Sequence, residues 1–244
     1  MKRVIAGPNA VTEAIRGAPR DVAAIYLADG LARATAERLE KLGSDAGVPC
    51  SALPREALDA LAKGMIHQGV IAIAGAFPYV DLEAILDEGR RIAEPLLVVL
   101  DQIQDPGNLG AILRSAHALG ATGVILTRDR SAAMTPGAIR ASAGASELIR
   151  VARVGNLAQC LEHLRDSGYR AVGAAADAGA QVADIDWRGP TALVLGGEGR
   201  GLRRLTRERC DLLFRIPLAA PFDSLNVSVA AAIALYEIGR ARRG

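Results

Sequence analysis

The chain has few lysines, few cysteines and no long uncharged hydrophobic run. The cysteines form an odd and widely spaced set, which argues against a disulfide framework and against a zinc site. They are Cys50, Cys160 and Cys210. No stretch approaches the roughly 18 uncharged apolar residues of a membrane helix, and no signal-peptide core follows Met1. These absences predict a soluble, cytoplasmic protein that has no membrane partner and binds no metal.

Basic charge is carried almost entirely by arginine. The only lysines are Lys2, Lys41 and Lys63. The planar guanidinium group suits phosphate oxygens better than an ammonium group does. A preference for arginine across a genome would produce the same composition, however, and the net charge is only +2. The charge therefore permits a nucleic-acid partner without requiring one.

The alternation of helix-like and strand-like segments predicts an α/β protein with two domains. Half of the 244 residues are hydrophobic, enough for two modest cores. Residues 1–76 predict a small α/β domain, and residues 77–94 a charged helical linker. Residues 95–244 alternate short apolar runs with helical segments, including helices over residues 109–119, 138–148 and 227–240. This pattern predicts a mostly parallel sheet covered by helices on both faces.

Three segments rich in glycine, asparagine and serine follow strand-like runs in the predicted second domain. They span residues 105–115, 195–202 and 216–229. Polar groups at the ends of strands, on loops held by a rigid sheet, are where α/β proteins usually bind ligands and perform chemistry. The three segments are therefore the candidate functional regions.

In the first segment, Pro106 and Gly107 predict a turn before a helix. Asn108 is suited either to cap that helix or to bond a ligand from the same position. Arg114 lies six residues further on, next to Leu113. The sequence therefore predicts that Arg114 does not lie on a fully solvent-exposed face of the helix. A capping asparagine followed by an arginine that extends from a half-buried helix is the structural alternative.

The second segment contains a tight glycine loop over residues 196–201. Glycines allow the backbone to approach a ligand closely. The spacing is neither that of a dinucleotide-binding fingerprint nor that of a phosphate-binding P-loop, which disfavours a dinucleotide-dependent oxidoreductase. Glu198 could hold an arginine or a ribose hydroxyl, whereas a flexible hairpin is the structural alternative.

The third segment leads from a strand ending near Ile216 into the last helix. Ser224 is the predicted N-cap of this helix. Asn226 is then not needed for capping and is a mediocre helix residue, so its amide is a candidate ligand-binding group. The alternative is a second polar residue at a fraying helix end.

Together the segments resemble, in order and context, the three signature motifs of the SpoU class (TrmH-type) of RNA 2′-O-ribose methyltransferases, within the SPOUT superfamily. The resemblance covers essentially the whole chain. Residues 7–11 and 67–70 are similar to parts of the ribosomal-protein-like RNA-binding domain found in many members. The resemblance implies an α/β-knot domain with a deep trefoil knot, a homodimer with sites at the subunit interface, and S-adenosylmethionine as methyl donor.

The length and motif positions look most similar to the branch that methylates guanosine riboses in 23S ribosomal RNA. The resemblance thus implies transfer of a methyl group to a ribose 2′-hydroxyl. The same reaction on tRNA is one alternative. A catalytically silent RNA-binding factor in ribosome assembly is another.

The resemblance also implies roles for individual residues. The catalytic positions are Asn108, Arg114, Glu198, Ser224 and Asn226. The donor would lie against Gly196, Gly197, Gly201, Ile216, Leu218 and Leu225. Arginines after the glycine loop and one histidine are further RNA-binding candidates: His67, Arg200, Arg203 and Arg204. In the family, the arginine that corresponds to Arg114 is given the role of general base, but a guanidinium is a poor proton acceptor at neutral pH. We therefore predict that Arg114 clamps the target phosphate and orients the hydroxyl.

Overall fold

Two sheets organise the part of the chain that the computed structural model describes, residues 2–219 and 224–243. The first sheet and its helices are β1 (Arg3–Ala6), α1 (Pro8–Gly17), β2 (Val22–Ala28), α2 (Arg33–Ala46), β3 (Cys50–Leu53), α3 (Arg55–Ala62) and β4 (Val70–Ala74). The strand order is β1-β4-β2-β3. β4 runs antiparallel to both of its neighbours, and β2 and β3 are parallel.

The second sheet has seven strands, and every pair of neighbours is parallel. Its elements are α4 (Leu82–Gly89), β5 (Leu96–Asp101), α5 (Pro106–Ala118), β6 (Gly123–Thr127), α6 (Pro136–Ala141), β7 (Arg150–Val154), α7 (Leu157–Asp166), β8 (Arg170–Ala174), β9 (Ala180–Gln181), β10 (Thr191–Gly196), α8 (Arg204–Arg209), β11 (Leu212–Arg215) and α9 (Val227–Arg243). The strand order is β7-β6-β5-β10-β8-β11-β9. This architecture confirms the predicted α/β class with a mostly parallel sheet.

The central strand β5 is buried on both faces, as its uninterrupted apolar sequence predicts. Val98 and Leu100 pack into a core with α5 and α9 on one face. Leu97 and Val99 pack with α4 and α7 on the other. Because all seven strands are parallel, their carboxyl ends lie along one edge of the sheet, which is the usual place for a binding site.

Three local predictions differ from the structure. The short strands β1 and β9 were not predicted, since four and two residues carry little periodic signal. The helix predicted over residues 138–148 ends at Ala141. Ala143 and Gly144 have positive φ angles of 50° and 93°, which interrupt the helix, and residues 145–147 form a separate 3₁₀ turn.

The segment predicted as a linker packs against the second sheet. Ile85 and Leu86 of α4 are completely or almost completely buried in its core. Val80 pairs with Ala152 of β7, where its N–H donates to the Val151 carbonyl at 3.0 Å. The exact division into residues 1–76, 77–94 and 95–244 remains a prediction.

A buried ion pair joins the two sheets. The Arg3 guanidinium on β1 lies 2.9 Å from the Glu147 carboxylate, and their side chains are only 6% and 4% exposed. A second contact runs from Arg140 to the Lys63 carbonyl at 3.0 Å. The 3₁₀ turn that interrupts the predicted helix is what presents Glu147 to Arg3. Among the described helices, none is long and apolar enough to cross a membrane.

Candidate active site

The first and second candidate segments leave the sheet side by side. Asp101, the last residue of β5, pairs in register with Gly196, the last residue of β10. The loop that leads to Asn108 and the loop that carries Glu198 are therefore neighbours. The helix α9, which follows the third segment, packs against α5.

Three polar side chains from the three segments form one hydrogen-bonded cluster. The Asn108 amide donates to Glu198 Oε1. Asn226 Nδ2 lies 3.1 Å from Asn108 Oδ1 and 3.4 Å from Glu198 Oε1. Residues 108, 198 and 226 are far apart in sequence, so the fold alone brings them together.

Asn108 is free to join this cluster because another residue caps its helix. Asp105 Oδ1 accepts the Asn108 N–H at 2.7 Å, with Pro106 as the first helical residue. The helix starts at Pro106 rather than at residue 109. Of the two roles that the sequence left open for Asn108, the structure therefore excludes capping.

Asn226 itself caps α9, so the predicted cap at Ser224 is wrong. Asn226 Oδ1 accepts the Ser228 N–H at 2.9 Å, and the Asn226 carbonyl accepts the Ala230 N–H at 2.9 Å. One end of the amide thus caps the helix, and the other end bonds Asn108 and Glu198. Ser224 lies two residues earlier, exposed, at the wall of the adjacent cavity.

Arg114 is not part of the cluster. It is exposed on α5, and within the described residues it makes no hydrogen bond or ion pair. The expectation that it avoids a solvated stripe is wrong. Residues 114, 117 and 118 all lie on the exposed side, while Ile112 and Leu113 are buried. A helical repeat of 3.6 residues separates these two faces.

A cavity of about 540 Å³ adjoins the cluster. Its walls include Glu198, Arg200 and Ser224 and all six residues predicted to contact the methyl donor, Gly196, Gly197, Gly201, Ile216, Leu218 and Leu225. The walls combine backbone of the glycine loop with apolar side chains from the ends of β10 and β11 and the region before α9. This volume is in the range of small-molecule sites.

The glycine loop is tightly closed and leaves no room for side chains at two positions. A Cβ atom at Gly196 would collide with the backbone of Gly201, and one at Gly197 would lie 2.7 Å from the Gln102 carbonyl oxygen. The Gly201 N–H donates to the Gly197 carbonyl at 3.0 Å. The loop therefore folds back on itself and approaches the β5 loop closely.

A buried carboxylate holds the end of this loop. Asp101 is 0% exposed, and its two oxygens accept the Arg203 backbone N–H at 3.0 Å and Arg203 Nε at 2.6 Å. The Arg203 side chain is 45% exposed. Arg203, predicted to bind RNA, thus has an intramolecular partner that fixes the loop carrying Glu198.

Other arginines after the loop are also paired with acids. Arg204 bonds Glu208 at 2.8 Å, and Arg207 bonds Asp177 at 2.8 Å. The hydrogen bond from Arg207 lowers the pKa of the Asp177 carboxyl below its ordinary value. Arg200 is exposed and has no such partner among the described residues. RNA contact by Arg200, Arg203 and Arg204 remains a prediction.

Two polar residues of the cavity wall, Asp177 and Arg215, were not identified from the sequence. Asp177 follows β8, and Arg215 is the last residue of β11. The signal that could have found Asp177 is its position just beyond the carboxyl end of a strand of the same parallel sheet.

His67 lies away from the cluster and is 4% exposed. Its Nε2 lies 2.8 Å from Asp59 Oδ1, and its Nδ1 accepts the Gly69 N–H at 3.2 Å. These bonds hold the turn that enters β4. Its position favours a structural role, and RNA contact by His67 remains a prediction.

The cysteines are free thiols. Burial raises the pKa of Cys160 to about 12. Burial, with the nearby carboxylates of Asp211 and Asp101, raises the pKa of Cys210 to about 12. Within residues 2–219 and 224–243, no three His, Cys, Asp or Glu side chains are grouped as metal ligands.

The chain that forms this sheet, glycine loop and three-residue cluster matches a class of RNA methyltransferases. Residues 95–236 match the SpoU rRNA methylase family, and residues 4–80 match a domain described as RNA 2′-O ribose methyltransferase substrate binding. The chain belongs to the SpoU rRNA methylase family, which confirms the resemblance seen in its motifs.

Curated relatives match nearly the whole chain. The 23S rRNA (guanosine-2′-O-)-methyltransferase RlmB of Pseudomonas syringae is 43% identical over 98% of this chain and 95% of its own length. The putative TrmH family tRNA/rRNA methyltransferase YacO of Bacillus subtilis is 37% identical over 98% of this chain and 95% of its own length.

Solved structures share the fold. The SpoU methyltransferase AviRb from Streptomyces viridochromogenes, in complex with the cofactor AdoMet, has a TM-score of 0.82 and 28% identity, covering 99% of this chain and 91% of its own. An AdoMet-bound rRNA methyltransferase from Sinorhizobium meliloti has a TM-score of 0.82 and 25% identity, covering 98% of this chain and 87% of its own.

Proposed function

We propose that this protein transfers a methyl group from S-adenosylmethionine to a ribose 2′-hydroxyl, that of a guanosine, in 23S ribosomal RNA. The observation that carries the proposal is the meeting of Asn108, Glu198 and Asn226 beside one cavity. Relatives named as 23S rRNA guanosine-2′-O-methyltransferases, about 40% identical over nearly their whole length, support the substrate.

The cavity fits S-adenosylmethionine. It is large enough for a nucleoside, the apolar side chains among its mixed walls suit an adenine ring, and backbone of the glycine loop lines it. When bound, S-adenosylmethionine supplies a methyl group already activated on its sulfonium. The protein then has to align the ribose hydroxyl with that methyl group. S-adenosylhomocysteine would leave as the methyl–sulfur bond breaks, and the hydroxyl proton would pass to a phosphate oxygen of the target nucleotide that Arg114 holds.

The cluster fixes the side chains that align the hydroxyl. Glu198 accepts from both asparagine amides, which leaves little rotational freedom to Asn108 and Asn226. Holding two reactants in line can contribute several kcal/mol, by analogy with intramolecular reactions at roughly 7–11 kcal/mol. We assign binding of the target phosphate to the exposed Arg114. Its planar guanidinium can bind two phosphate oxygens at once.

We further propose that the sites are completed in a homodimer. Val229, Ile233 and Tyr236 form an exposed apolar stripe on α9, with exposed fractions of 47%, 36% and 57%. The stripe continues directly from Asn226 along the same helix. A second copy covering it would bring its own surface next to Arg114 and Asn226. A trefoil knot formed by the chain around the glycine loop and α9 belongs to this proposal.

The division of labour follows the two sheets. We assign RNA binding to residues 1–76 and methyl transfer to residues 95–244, joined by residues 77–94. The buried Arg3–Glu147 pair supports this arrangement, because it holds the first sheet at a fixed position against the catalytic one.

Mapping of ribose methylation across total RNA tests the function. Cells that lack the protein should miss one 2′-O-methyl mark in 23S ribosomal RNA, and the wild-type gene should restore it, whereas a Glu198→Ala gene should not. A mark missing from tRNA instead would contradict the substrate. An unchanged map would contradict the enzyme and favour a silent RNA-binding factor.

A further inference from the structure

A second arginine-bearing loop lies beside the active site. Residues 128–131 follow β6, whose neighbour is β5, at the same carboxyl edge as the cluster. The Ala132 N–H donates to the Ile103 carbonyl at 2.7 Å. This bond ties the loop directly to the segment that leads from β5 to Asn108.

The loop presents positive charge that the protein does not neutralise. Arg128 and Arg130 are exposed, and within the described residues neither lies within ion-pair distance of a carboxylate. Asp129 stands between them in sequence without pairing with either. Arg203 and Arg207 on the other side of the site, in contrast, are both bound to acids.

The backbone of the loop is fixed while these two guanidinium groups stay in solvent. Thr127 Oγ1 donates to the Asp129 carbonyl at 3.1 Å and bonds the Ser131 hydroxyl. Arg153 on β7 donates to the Arg128 carbonyl at 2.7 Å, and its guanidinium lies 5.1 Å from the centre of the Tyr79 ring. These bonds pre-organise the loop.

Arg130 has a positive φ of 55°, which is uncommon for a residue with a side chain. Such strain persists only where surrounding bonds enforce it, and it concentrates at functional sites. The loop therefore combines enforced backbone geometry with exposed charge.

We propose that Arg128 and Arg130 bind backbone phosphates of the RNA strand next to the nucleotide being methylated. This inference rests on the proposed function. The loop is one strand spacing from β5 and two from β10, about 5 and 10 Å, so it lies within a few nucleotides of the cluster. Two unpaired guanidinium groups on a fixed loop match the phosphate oxygens of a polyanion in charge and geometry.

The test compares RNA binding and catalysis in an Arg128→Gln/Arg130→Gln variant. The probe is transcribed, unmodified 23S ribosomal RNA. We expect the Kd for this RNA to rise roughly ten-fold at low salt. The slope of log affinity against log salt should become shallower by about 1.4, or about 0.7 for each lost phosphate contact. Turnover at saturating RNA and the Kd for S-adenosylmethionine should stay at wild-type values.

Two further variants separate charge from structure. Arg128→Lys/Arg130→Lys keeps the charge and should recover most of the RNA affinity. Arg91→Ala/Arg243→Ala removes two exposed arginines from the opposite edge of the sheet and should change neither Kd nor slope.

An unchanged RNA Kd and salt slope in the Gln variant would overturn the inference, as would equal losses in the Gln and Lys variants. If wild-type protein binds the RNA but transfers no methyl group to it, the proposed function fails. The binding measurements would still decide the role of the loop in that case.

Discussion

Asn226 performs two tasks with the two ends of one amide. Its oxygen caps α9, and its nitrogen bonds Asn108 and Glu198. The sequence singled out Asn226 as unusual for a helix but placed the cap two residues too early. Helix boundaries shift easily by one or two residues, because several polar residues near a helix start can satisfy the same free N–H groups.

Glu198 is the shared acceptor of the cluster, so we expect Glu198→Ala to lower kcat about 100-fold through misalignment. Because Glu198 is exposed, the free energy of unfolding should change little. Methyl-transfer kinetics on 23S ribosomal RNA and urea unfolding measure both effects. Glu208→Ala removes an exposed glutamate nearby and should keep the wild-type rate. A wild-type rate in Glu198→Ala would contradict the assignment of Glu198 to the active site.

Arg203 illustrates what a single sequence cannot show. The arginines after the glycine loop are visible in the sequence, but the acids that bind Arg203 and Arg207 are contributed by distant segments. Asp101, for example, lies 102 positions before Arg203. Spacing alone therefore indicated an RNA-binding stripe, whereas the fold makes Arg203 an anchor of the glycine loop.

We expect Arg203→Ala to lower the free energy of unfolding by about 1–3 kcal/mol. It leaves the buried Asp101 carboxylate with one backbone partner, although the exposure of Arg203 moderates the loss. The looser glycine loop should also raise the KM for S-adenosylmethionine. Arg204→Ala breaks only an exposed pair and should cost less than about 1 kcal/mol. Equal effects of the two changes would contradict the anchoring role.

At the scale of elements, the regular alternation of the second sheet was predictable. The helix predicted over residues 157–166 and the strand predicted over residues 170–174 have the same bounds as α7 and β8 in the structure. Buried parallel strands are continuous apolar runs, and their helices keep a clear period. The prediction of a helix over residues 138–148 was wrong because Gly144 adopts a left-handed conformation, which the apolar period does not reveal.

The far end of α9 is held by one arginine. Arg242 donates to the carbonyls of Trp187 at 2.8 Å, Glu94 at 2.7 Å and Gly189 at 2.8 Å. Burial lowers the pKa of its guanidinium below the ordinary value. The element that delivers Asn226 to the site is thus fixed at both ends.

Arg242→Ala should therefore lower the free energy of unfolding by about 2–4 kcal/mol, because three carbonyls lose a charged donor. Arg242→Lys should recover only part of the loss, since an ammonium group cannot reproduce the planar fork. Thermal and urea unfolding measure the effect. Arg243→Ala, which changes an exposed neighbour, is the control, and a loss as large in this variant would contradict the assignment.

At the scale of the whole molecule, the packing of the two sheets against each other could not be predicted from the sequence. Arg3 and Glu147 lie 144 positions apart, and neither stands in a motif. Two buried charges that meet only in the folded state leave no local signal. The three motif segments were easier to connect, because their resemblance to a family supplied the expectation that they meet.

The apolar stripe on α9 predicts the oligomeric state. Ile233→Glu should convert the proposed dimer into a monomer and remove methyl transfer, because a charge at the centre of the proposed apolar interface would not be compensated. Size-exclusion chromatography with light scattering and the transfer assay measure both. Ile92→Glu places the same charge on an exposed residue of another surface and should change neither. A monomeric but fully active wild-type protein would contradict the shared site.

Stability should fall at alkaline pH. The thiols of Cys160 and Cys210 have native pKa values of about 12, against about 8.5 in an unfolded chain. Their contribution is complete below pH 8 and is lost as pH rises toward 12, because only the unfolded state then releases protons. The slope approaches 1.4 kcal/mol per pH unit for each thiol. Denaturant unfolding from pH 8 to 11 should show a shallower slope in Cys160→Ala/Cys210→Ala. Identical slopes would contradict the raised pKa values of the two thiols.

Because Asn226 and α9 follow every other described element along the chain, the three-residue cluster is completed last during synthesis. Domains fold in the order of their synthesis, so the first sheet, to which we assign RNA binding, can form while the ribosome is still translating the second. Methyl transfer must wait until α9 is made and locked. A nascent chain in which α9 has not yet folded is therefore expected to transfer no methyl group.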